Sequence, residues 1–380
     1  MIHASPVFSP ARFTLTLHHA AATAFTIASW NVAGLRALQK KDPDAISNLI
    51  QKLDLDVLCL QETKLQEAHL TDPKVSLPDV PGYTAHYSCS TAKKGYAGTA
   101  VFIRNHGGGT KKKGMQQMTL DAMMKKGANS TNNNPKAPSP AKLPIDAKWL
   151  QPESVTMEMG VAKHDQEGRV ICMDFPLFTA VNLYVPNSGQ KLERLTYRTE
   201  EWDKDLLAFM QQKQKERDVP VVWLGDLNVA HTHLEVWNGK WSGQLGSMIV
   251  VAAIFLSHVG TVRCLFDTLD GAKHLAKQAG VTAEERASFQ AQLDAGFVDA
   301  FRHLHPTAAG HYTYWSQRAG NRAPNKGLRL DYFVCDPRLL DDGASVVVRD
   351  SYMVPDQEGS DHCPAVLELE IKKTVTSRIS

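Results

Sequence analysis

Strand-like runs recur along this chain, and most of them end in an acid or an amide. Short runs of this kind, rich in β-branched and aromatic residues, are typical of core strands. Helical patterns separate several of them, so the chain is predicted to fold as α/β or α+β. The runs are FTIASWN (25–31), LDVLCLQE (55–62), TAVNLYVPN (179–187), VPVVWLGDLN (219–228) and LRLDYFVC (328–335).

Three helices are predicted from the spacing of apolar residues and from capping signals. Apolar side chains recur at helical spacing in DPDAISNLIQKL (42–53) and again over about residues 192–216. Thr282 followed by Glu285 has the pattern of a capping box, and Gly296 is placed to follow the helix that this box opens.

The composition is that of a folded protein without a strong overall charge. The 42 basic and 40 acidic side chains leave a formal charge of +2, so any binding to a polyanion must depend on a local patch. None of the six cysteines forms a C-x-x-C pair, and Cys59, Cys172 and Cys335 lie in apolar runs. We expect these three to be buried hydrophobic residues in a reducing compartment. No apolar run has the ~20 residues that a membrane span needs.

One domain is predicted over residues 26–371, with a tail at each end and two insertions. The acid-free stretch 1–25 is predicted to be a disordered or targeting tail, and 372–380 a short tail. Residues 107–148, rich in Pro, Asn, Ser and Lys, are predicted to form a disordered basic loop. Residues 239–271 contain the apolar run MIVVAAIFL, which leaves open a buried or partner-facing helix and an error in the gene product.

Acids and amides gather where the predicted strands end. Each alone is weak evidence, but ligand sites form at the mouths of such sheets, so the set is expected to converge. Carboxylate and amide oxygens without a Cys/His cluster suit a hard cation such as Mg²⁺. The acids are Glu62, Asp226, Asp331 and Asp361, and the amides are Asn31, Asn187 and Asn228.

These residue types can supply what phosphodiester hydrolysis requires: an activated water, neutralised charge and help for the leaving group. Asp226, held by Asn228, is expected to take the proton of the attacking water. Glu62 is expected to anchor the metal near the leaving oxygen.

The remaining polar residues are expected to act on the phosphate. His362, fixed by Asp331, would present positive charge to it when protonated. Tyr184 and Asn187 of the YVPN run would donate hydrogen bonds to its nonbridging oxygens.

The chain resembles the exonuclease III family of apurinic/apyrimidinic endonucleases over about residues 26–371. The match is specific because eight short motifs occur in family order. The resemblance implies a four-layered α/β sandwich of the deoxyribonuclease I type, with two packed sheets flanked by helices. The motifs are SWNVAGLRA (29–37), LQETK (60–64), HDQEGRV (164–170), YVPN (184–187), GDLNVAH (225–231), AGVTAEER (279–286), RLDYF (329–333) and GSDHCP (359–364).

The resemblance also implies an activity and its setting. It implies Mg²⁺-dependent cleavage, with Mn²⁺ possible, 5′ of abasic sites in double-stranded DNA, with 3′-phosphodiesterase and 3′–5′ exonuclease activity. The protein is expected to be a monomer that repairs DNA in the nucleus, or alternatively in the mitochondrion, without membrane association.

The resemblance assigns roles to individual residues by motif. The metal set is Glu62, Asn31, Asp361, Asp226 and Asn228, and the catalytic set is Tyr184, Asn187, Asp226, Asn228, Asp331 and His362. The pocket for a flipped-out abasic sugar is expected at Tyr314, Trp315 and Leu328, with Arg318 where an intercalating side chain is expected.

Some positions depart from the family pattern. Ala33 stands where many relatives have Asp or Asn, which predicts a weaker metal site, and Gln190 replaces an arginine found in some relatives. Two other readings stay open: the same fold acting on phosphoinositides or on DNA in general, and a non-catalytic DNA-binding protein. YVPN, HDQEGRV and AGVTAEER favour the repair enzyme over the first of these, and the presence of every other expected catalytic residue argues against the second.

Overall fold

The computed structural model describes residues 22–106, 145–237 and 277–372, in which twelve strands form two six-stranded sheets. All five strand-like runs contain strands, so that prediction is confirmed. The strands are β1 (Ala22–Asn31), β2 (Val57–Gln61), β3 (Tyr83–Ser88), β4 (Thr99–Arg104), β5 (Ser154–Thr156), β6 (Val170–Asp174), β7 (Thr179–Tyr184), β8 (Val221–Asp226), β9 (Val298–Asp299), β10 (Asp331–Cys335), β11 (Val346–Met353) and β12 (Ala365–Lys372).

The two sheets have related strand arrangements. The first has the order β11-β12-β1-β2-β4-β3, and the second β5-β6-β7-β8-β10-β9. Each contains one parallel pair near its centre, β1 with β2 and β7 with β8. Parallel neighbours bring their carboxyl ends to the same edge of a sheet, so residues that follow these strands are brought together.

Alternating side chains divide the buried interior into three layers. On β1, Phe25 and Ile27 pack between the two sheets, whereas Ala28 and Trp30 face the helices outside the first sheet. The second sheet alternates in the same way and packs its other face on a further apolar layer that includes Trp202, Trp223 and Phe289. Because residues in a strand alternate between faces, this arrangement makes the four-layered sandwich that was predicted.

The described helices are short except for two. They are α1 (Leu35–Lys41), α2 (Ala45–Leu53), α3 (Glu67–Thr71), α4 (Ala162–Asp165), α5 (Asp203–Arg217), α6 (Ala283–Asp294) and α7 (Ala300–Leu304). The helix predicted from about residue 192 is wrong at its start: a π-helical turn, Tyr197–Trp202, precedes α5. Leu192 has φ of 59°, a left-handed conformation that a helix cannot continue through.

The predicted capping box is confirmed at the start of α6. Thr282 Oγ1 accepts the Glu285 backbone N–H at 3.2 Å, and Glu285 Oε2 accepts the Thr282 N–H at 3.2 Å. Glu285 also accepts the Ser188 hydroxyl and the Gly280 N–H. A single buried carboxylate therefore joins α6 to the loop that follows β7.

The predicted domain limits shift slightly. Strand β1 begins at Ala22, inside the predicted tail, and the described chain resumes with a buried Ile145, inside the predicted insertion 107–148. The predicted insertion 239–271 lies outside the described residues. Cys59, Cys172 and Cys335 are buried free thiols, as predicted. Within the three described ranges, no helix is long and apolar enough to cross a membrane.

Candidate active site

Five predicted site residues meet at one edge of the sandwich because of strand ends and register. Asn31, Tyr184 and Asp226 are the last residues of β1, β7 and β8. Glu62 directly follows β2, which is parallel to β1. Asp331 is the first residue of the antiparallel strand β10 and lies opposite Asp226.

Asp226 is buried and joins the two sheets at this edge. Its Oδ2 accepts the Asn31 Nδ2–H at 2.8 Å, and its Oδ1 accepts the Asn228 backbone N–H at 2.9 Å. Ala33 donates its backbone N–H to Asn31 Oδ1 at 2.9 Å, which aims the Asn31 amide nitrogen at Asp226. Burial raises the pKa of Asp226 above its usual range, although the nearby His362 acts in the opposite direction. The group is therefore a better proton acceptor than an exposed aspartate.

Two asparagines extend this arrangement toward the surface. Asn228 has φ of 50° and donates Nδ2–H to Val185 O at 2.9 Å. Its Oδ1 accepts the Asn187 Nδ2–H at 2.9 Å, while Asn187 Oδ1 accepts the Gly189 N–H. The left-handed backbone that Asn tolerates better than most residues turns the Asn228 side chain back toward Asp226.

His362 and Asp331 form a buried pair beside Asp226. The distance from His362 Nδ1 to Asp331 Oδ2 is 2.7 Å, and Nε2 lies 3.9 Å from Asp226 Oδ2. Burial acts to lower the pKa of His362, but Asp331 and Asp226 outweigh it and raise that pKa. The two carboxylates therefore favour the protonated form of the imidazole, whose Nε2 faces the Asp226 carboxylate.

Three carboxylates act electrostatically on Tyr314. Burial raises the pKa of the Tyr314 hydroxyl, and Asp361, Asp226 and Glu62 act in the same direction. The Tyr314 ring lies 5.0 Å from the His362 ring between centroids. Glu62 and Asp361, predicted as metal ligands, are thus brought to the same site as the buried Asp226.

Tyr184 is held by an arginine that the sequence reasoning did not single out. Arg169 lies 4.7 Å from the Tyr184 ring centroid and donates Nη1–H to Tyr184 O at 2.9 Å. Burial raises the pKa of Tyr184 well above its ordinary value, with Glu62 and Asp226 adding to the effect. The hydroxyl therefore stays protonated and can donate. Arg169 lies within HDQEGRV, so the motif was found although the role was not.

An apolar surface, here called the apolar wall, lies beside His362 and is formed by Tyr314, Leu328 and Leu330. Tyr314 and Leu328 pair as an isolated bridge and pack against Val236 and Leu330, in a cluster that also contains Ala230 and Val281. Leu330 was missed, although its alternation with Leu328 in LRLDYF places both on one side of the chain.

Trp315 does not share this wall, which corrects its assignment to the sugar pocket. Its ring is buried with Tyr312 and Cys363, and its Nε1–H is donated to Asn325 Oδ1 at 3.0 Å. Adjacent residues in an extended segment point in opposite directions, so Tyr314 and Trp315 cannot both face the site. Arg318 is exposed in a turn, as is Gln190 after β7.

The donor set suits a hard divalent cation. Ligand atoms of Asp226, Asp331 and His362 all lie within 4.8 Å of one another, but the hydrogen bond between His362 and Asp331 accounts for that closeness without an ion. Glu62 is less buried than Asp226. Its Oε1 lies 2.8 Å from Lys64 Nζ, so the carboxylate forms an ion pair with the lysine ammonium group. Carboxylate and amide oxygens are the donors that Mg²⁺ and Mn²⁺ prefer.

Comparisons with known proteins agree with this architecture. The sequence pattern described as the endonuclease/exonuclease/phosphatase family matches residues 28–362. A DNA-(apurinic or apyrimidinic site) endonuclease of Dictyostelium discoideum is 34% identical, with 89% of this chain and 68% of that protein covered. The DNA repair nuclease APEX1 of Danio rerio is 32% identical, with 94% and 86% covered. The crystal structure of AP endonuclease LMAP from Leishmania major has a TM-score of 0.63 and 28% identity, covering 92% of this chain and 88% of that one.

Two packed sheets with a carboxylate, amide and imidazole cluster at one edge define a metal-dependent phosphodiester hydrolase. The chain belongs to the endonuclease/exonuclease/phosphatase family, within its exonuclease III-type AP endonucleases.

Proposed function

We propose that this protein hydrolyses the phosphodiester bond 5′ of abasic sites in double-stranded DNA, and that it also acts as a 3′-phosphodiesterase and 3′–5′ exonuclease. The observation that carries the proposal is the position of Asp226, held by amides from both sheets and facing a histidine fixed by Asp331. The names of the relatives, AP endonuclease and DNA repair nuclease, support the choice of DNA.

Each side chain has one task in this proposal. Asp226 accepts the proton of the attacking water, and the Asn228 backbone and Asn31 side chain hold its carboxylate in place. His362, kept cationic by Asp331, offers Nε2–H to the phosphate. Tyr184 and Asn187 donate to nonbridging oxygens.

The cofactor proposed is Mg²⁺, with Mn²⁺ as a substitute. Glu62 and Asp361, with Asn31, Asp226 and Asn228 as the amide and carboxylate neighbours, would hold it. When bound, the ion would neutralise charge on the phosphate and on the leaving oxygen.

The sugar pocket proposed is the apolar wall of Tyr314, Leu328 and Leu330 beside His362. A wall of this kind accepts a deoxyribose without a base, which is the chemistry of an abasic nucleotide. Arg318 remains a proposed contact to the duplex. The protein is proposed to work as a monomer, without membrane association, in the nucleus or alternatively in the mitochondrion.

A nicking assay tests the function directly. A labelled duplex with one tetrahydrofuran abasic analogue should be cut on the 5′ side of the analogue with Mg²⁺, and chelator should stop the reaction. Faster turnover of inositol polyphosphate or of intact duplex would instead identify a different substrate. Tight binding to the abasic duplex without cleavage at any Mg²⁺ or Mn²⁺ concentration would identify a non-catalytic protein.

Ala33→Asp is expected to tighten metal binding. Ala33 has φ of 50°, which Asp tolerates at least as well as Ala, and a carboxylate there would add an oxygen next to Asn31. One added ligand should lower the dissociation constant for Mn²⁺ by roughly tenfold, the factor that corresponds to about 1.4 kcal/mol. Titration calorimetry without DNA measures this, with Ala33→Asn as the uncharged control. Equal affinities for wild type and Ala33→Asp would contradict it.

Tyr314→Ala and Trp315→Phe are expected to differ sharply in activity. Removing the Tyr314 ring opens the wall next to His362, so kcat/KM on abasic duplex should fall by roughly 10- to 100-fold, as expected for a lost pocket contact of 1–3 kcal/mol. Trp315→Phe keeps a buried ring beside Arg322 and away from this wall, so its kcat/KM should fall far less than that of Tyr314→Ala. Equal losses in the two variants would show that the pocket has been misplaced.

A further inference from the structure

The segment that carries His362 is a loop between β11 and β12, here called the His362 loop (residues 354–363). Its inner end is fixed to the first sheet: Ser360 donates Oγ–H to Asn31 O at 2.7 Å, and Trp30 donates Nε1–H to His362 O at 3.2 Å. Its outer half, 355–359, is largely exposed and makes neither contact. Within the loop, Gln357 donates its backbone N–H to Val354 O at 3.1 Å, so contacts from outside the loop decide how this turn sits relative to the site.

Arg322 provides contacts to both parts of the loop. Its Nη1–H is donated to Ser360 O at 3.0 Å, and its Nη2 donates to Pro355 O at 2.8 Å and to Gln357 O at 2.5 Å. A guanidinium offers five N–H donors in one rigid plane, so a single side chain can hold three carbonyls in fixed relative positions. Hydrogen bonds from a charged donor are also stronger than neutral ones.

Trp315 holds the guanidinium in place. Arg322 lies 4.9 Å from the Trp315 ring centroid, and Trp315 donates its backbone N–H to Asp361 O at 2.9 Å. The indole Nε1–H is donated to Asn325, whose Nδ2–H is donated to Gly310 O. The buried tryptophan therefore connects Arg322, the loop of residues 316–327 and the His362 loop in one unit.

We propose that Arg322 is a positioning residue that fixes the His362 loop through its backbone carbonyls and thereby sets where the His362 imidazole meets the phosphate. The catalytic consequence rests on the proposed function, whereas the effect on the loop does not. Arg322 and Arg318 belong to the same loop, residues 316–327. A duplex that contacts this loop would therefore also affect the position of the His362 loop through Arg322.

A cavity lies beside the contacts of Arg322, so removing this side chain is expected to change the position of the loop more than the stability of the fold. It has a volume of about 1000 Å³ and is lined by Arg322, Trp315 and Pro355 among others. Pro355 lines this cavity, so water can reach its carbonyl when the guanidinium is removed, which limits the cost of leaving that carbonyl unpaired. The loss should appear as a displaced loop rather than as an unfolded protein.

Arg322→Met and Arg322→Lys test the proposal in the full-length protein. With Arg322→Met, amide exchange should speed up at Gln357 and His362, while β12 keeps its protection. On abasic duplex, kcat per titrated active site should fall by roughly 10- to 100-fold, the scale expected for a misplacement of about 1 Å, with KM little changed. Arg322→Lys, which can still reach a carbonyl, should give an intermediate kcat.

Arg338→Met is the matched control. Arg338 also donates to a backbone carbonyl, Val219 O, but it lies in the turn after β10, at the edge of the sheet opposite the site. It should leave both kcat and the exchange of the His362 loop unchanged. If Arg322→Met leaves loop exchange as in wild type, or if its kcat per active site equals that of Arg338→Met, the proposal is overturned. If the wild type does not cut abasic duplex, the proposed function fails, while the exchange result still decides the role of Arg322 in the loop.

Discussion

Asp226→Asn is expected to abolish nicking of abasic duplex at every Mg²⁺ concentration, because an amide cannot accept the proton of the attacking water. Loss of a general base costs on the order of 10²- to 10⁴-fold, and loss of one negative charge beside the proposed metal adds to it. We therefore expect at least about a 10³-fold fall in kcat, measured under single-turnover conditions. Binding to abasic duplex should persist, since the wall around Tyr314 is untouched.

The fold should survive this change, because the amide keeps the shape of the carboxylate and one acceptor for the Asn31 or Asn228 N–H. Asp336→Asn is the matched control: Asp336 is equally buried, follows β10 at the opposite edge, and accepts hydrogen bonds from Gln214 and Arg338. It should nick at the wild-type rate. Wild-type nicking by Asp226→Asn would remove Asp226 from the role of base.

The local part of the site could be predicted from the sequence, because strands can be recognised from short runs and side chains at their ends have predictable positions. Register then brings Tyr184 level with Asp226 and Asp331 opposite it. The strand pattern did not contain the contact between Asn31 and Asp226, which are 195 positions apart. Convergence of the strand ends was predicted, but this particular contact depends on how two separate sheets pack, which the position of a residue at the end of a strand does not specify.

The errors of prediction have local physical causes. Tyr314 and Trp315 were assigned to the same pocket, although neighbours in an extended segment face opposite ways. The apolar spacing from residue 192 suggested one helix, but periodicity does not reveal the left-handed backbone at Leu192. Arg169 and Arg322 were missed because their partners are rings and backbone carbonyls distant in sequence, which no short motif records.

Gly225→Ala is expected to have the largest effect on stability, and the reason lies one residue before Asp226. Gly225 has φ of 134°, and a Cβ built on it would lie 1.9 Å from the backbone oxygen of Leu183 on the neighbouring strand β7. The clash is with backbone in the middle of the second sheet, since Gly225 also pairs with Tyr332 of β10. Neither neighbour can move without breaking its ladder.

We expect Gly225→Ala to lower the free energy of unfolding by more than about 3 kcal/mol, the sum of overpacking and of a backbone conformation that alanine disfavours. Gly296→Ala isolates the second cost, because Gly296 has φ of 103° and no atom within 4 Å of an added Cβ. That control should lose only about 1–2 kcal/mol in urea unfolding. Equal losses in the two variants would show that β7 gives way at little cost. If Gly225→Ala is far less stable than Gly296→Ala, the close approach of β7 and β8 is needed for the fold around Asp226. We then expect the nicking rate per folded molecule to be lower in Gly225→Ala as well.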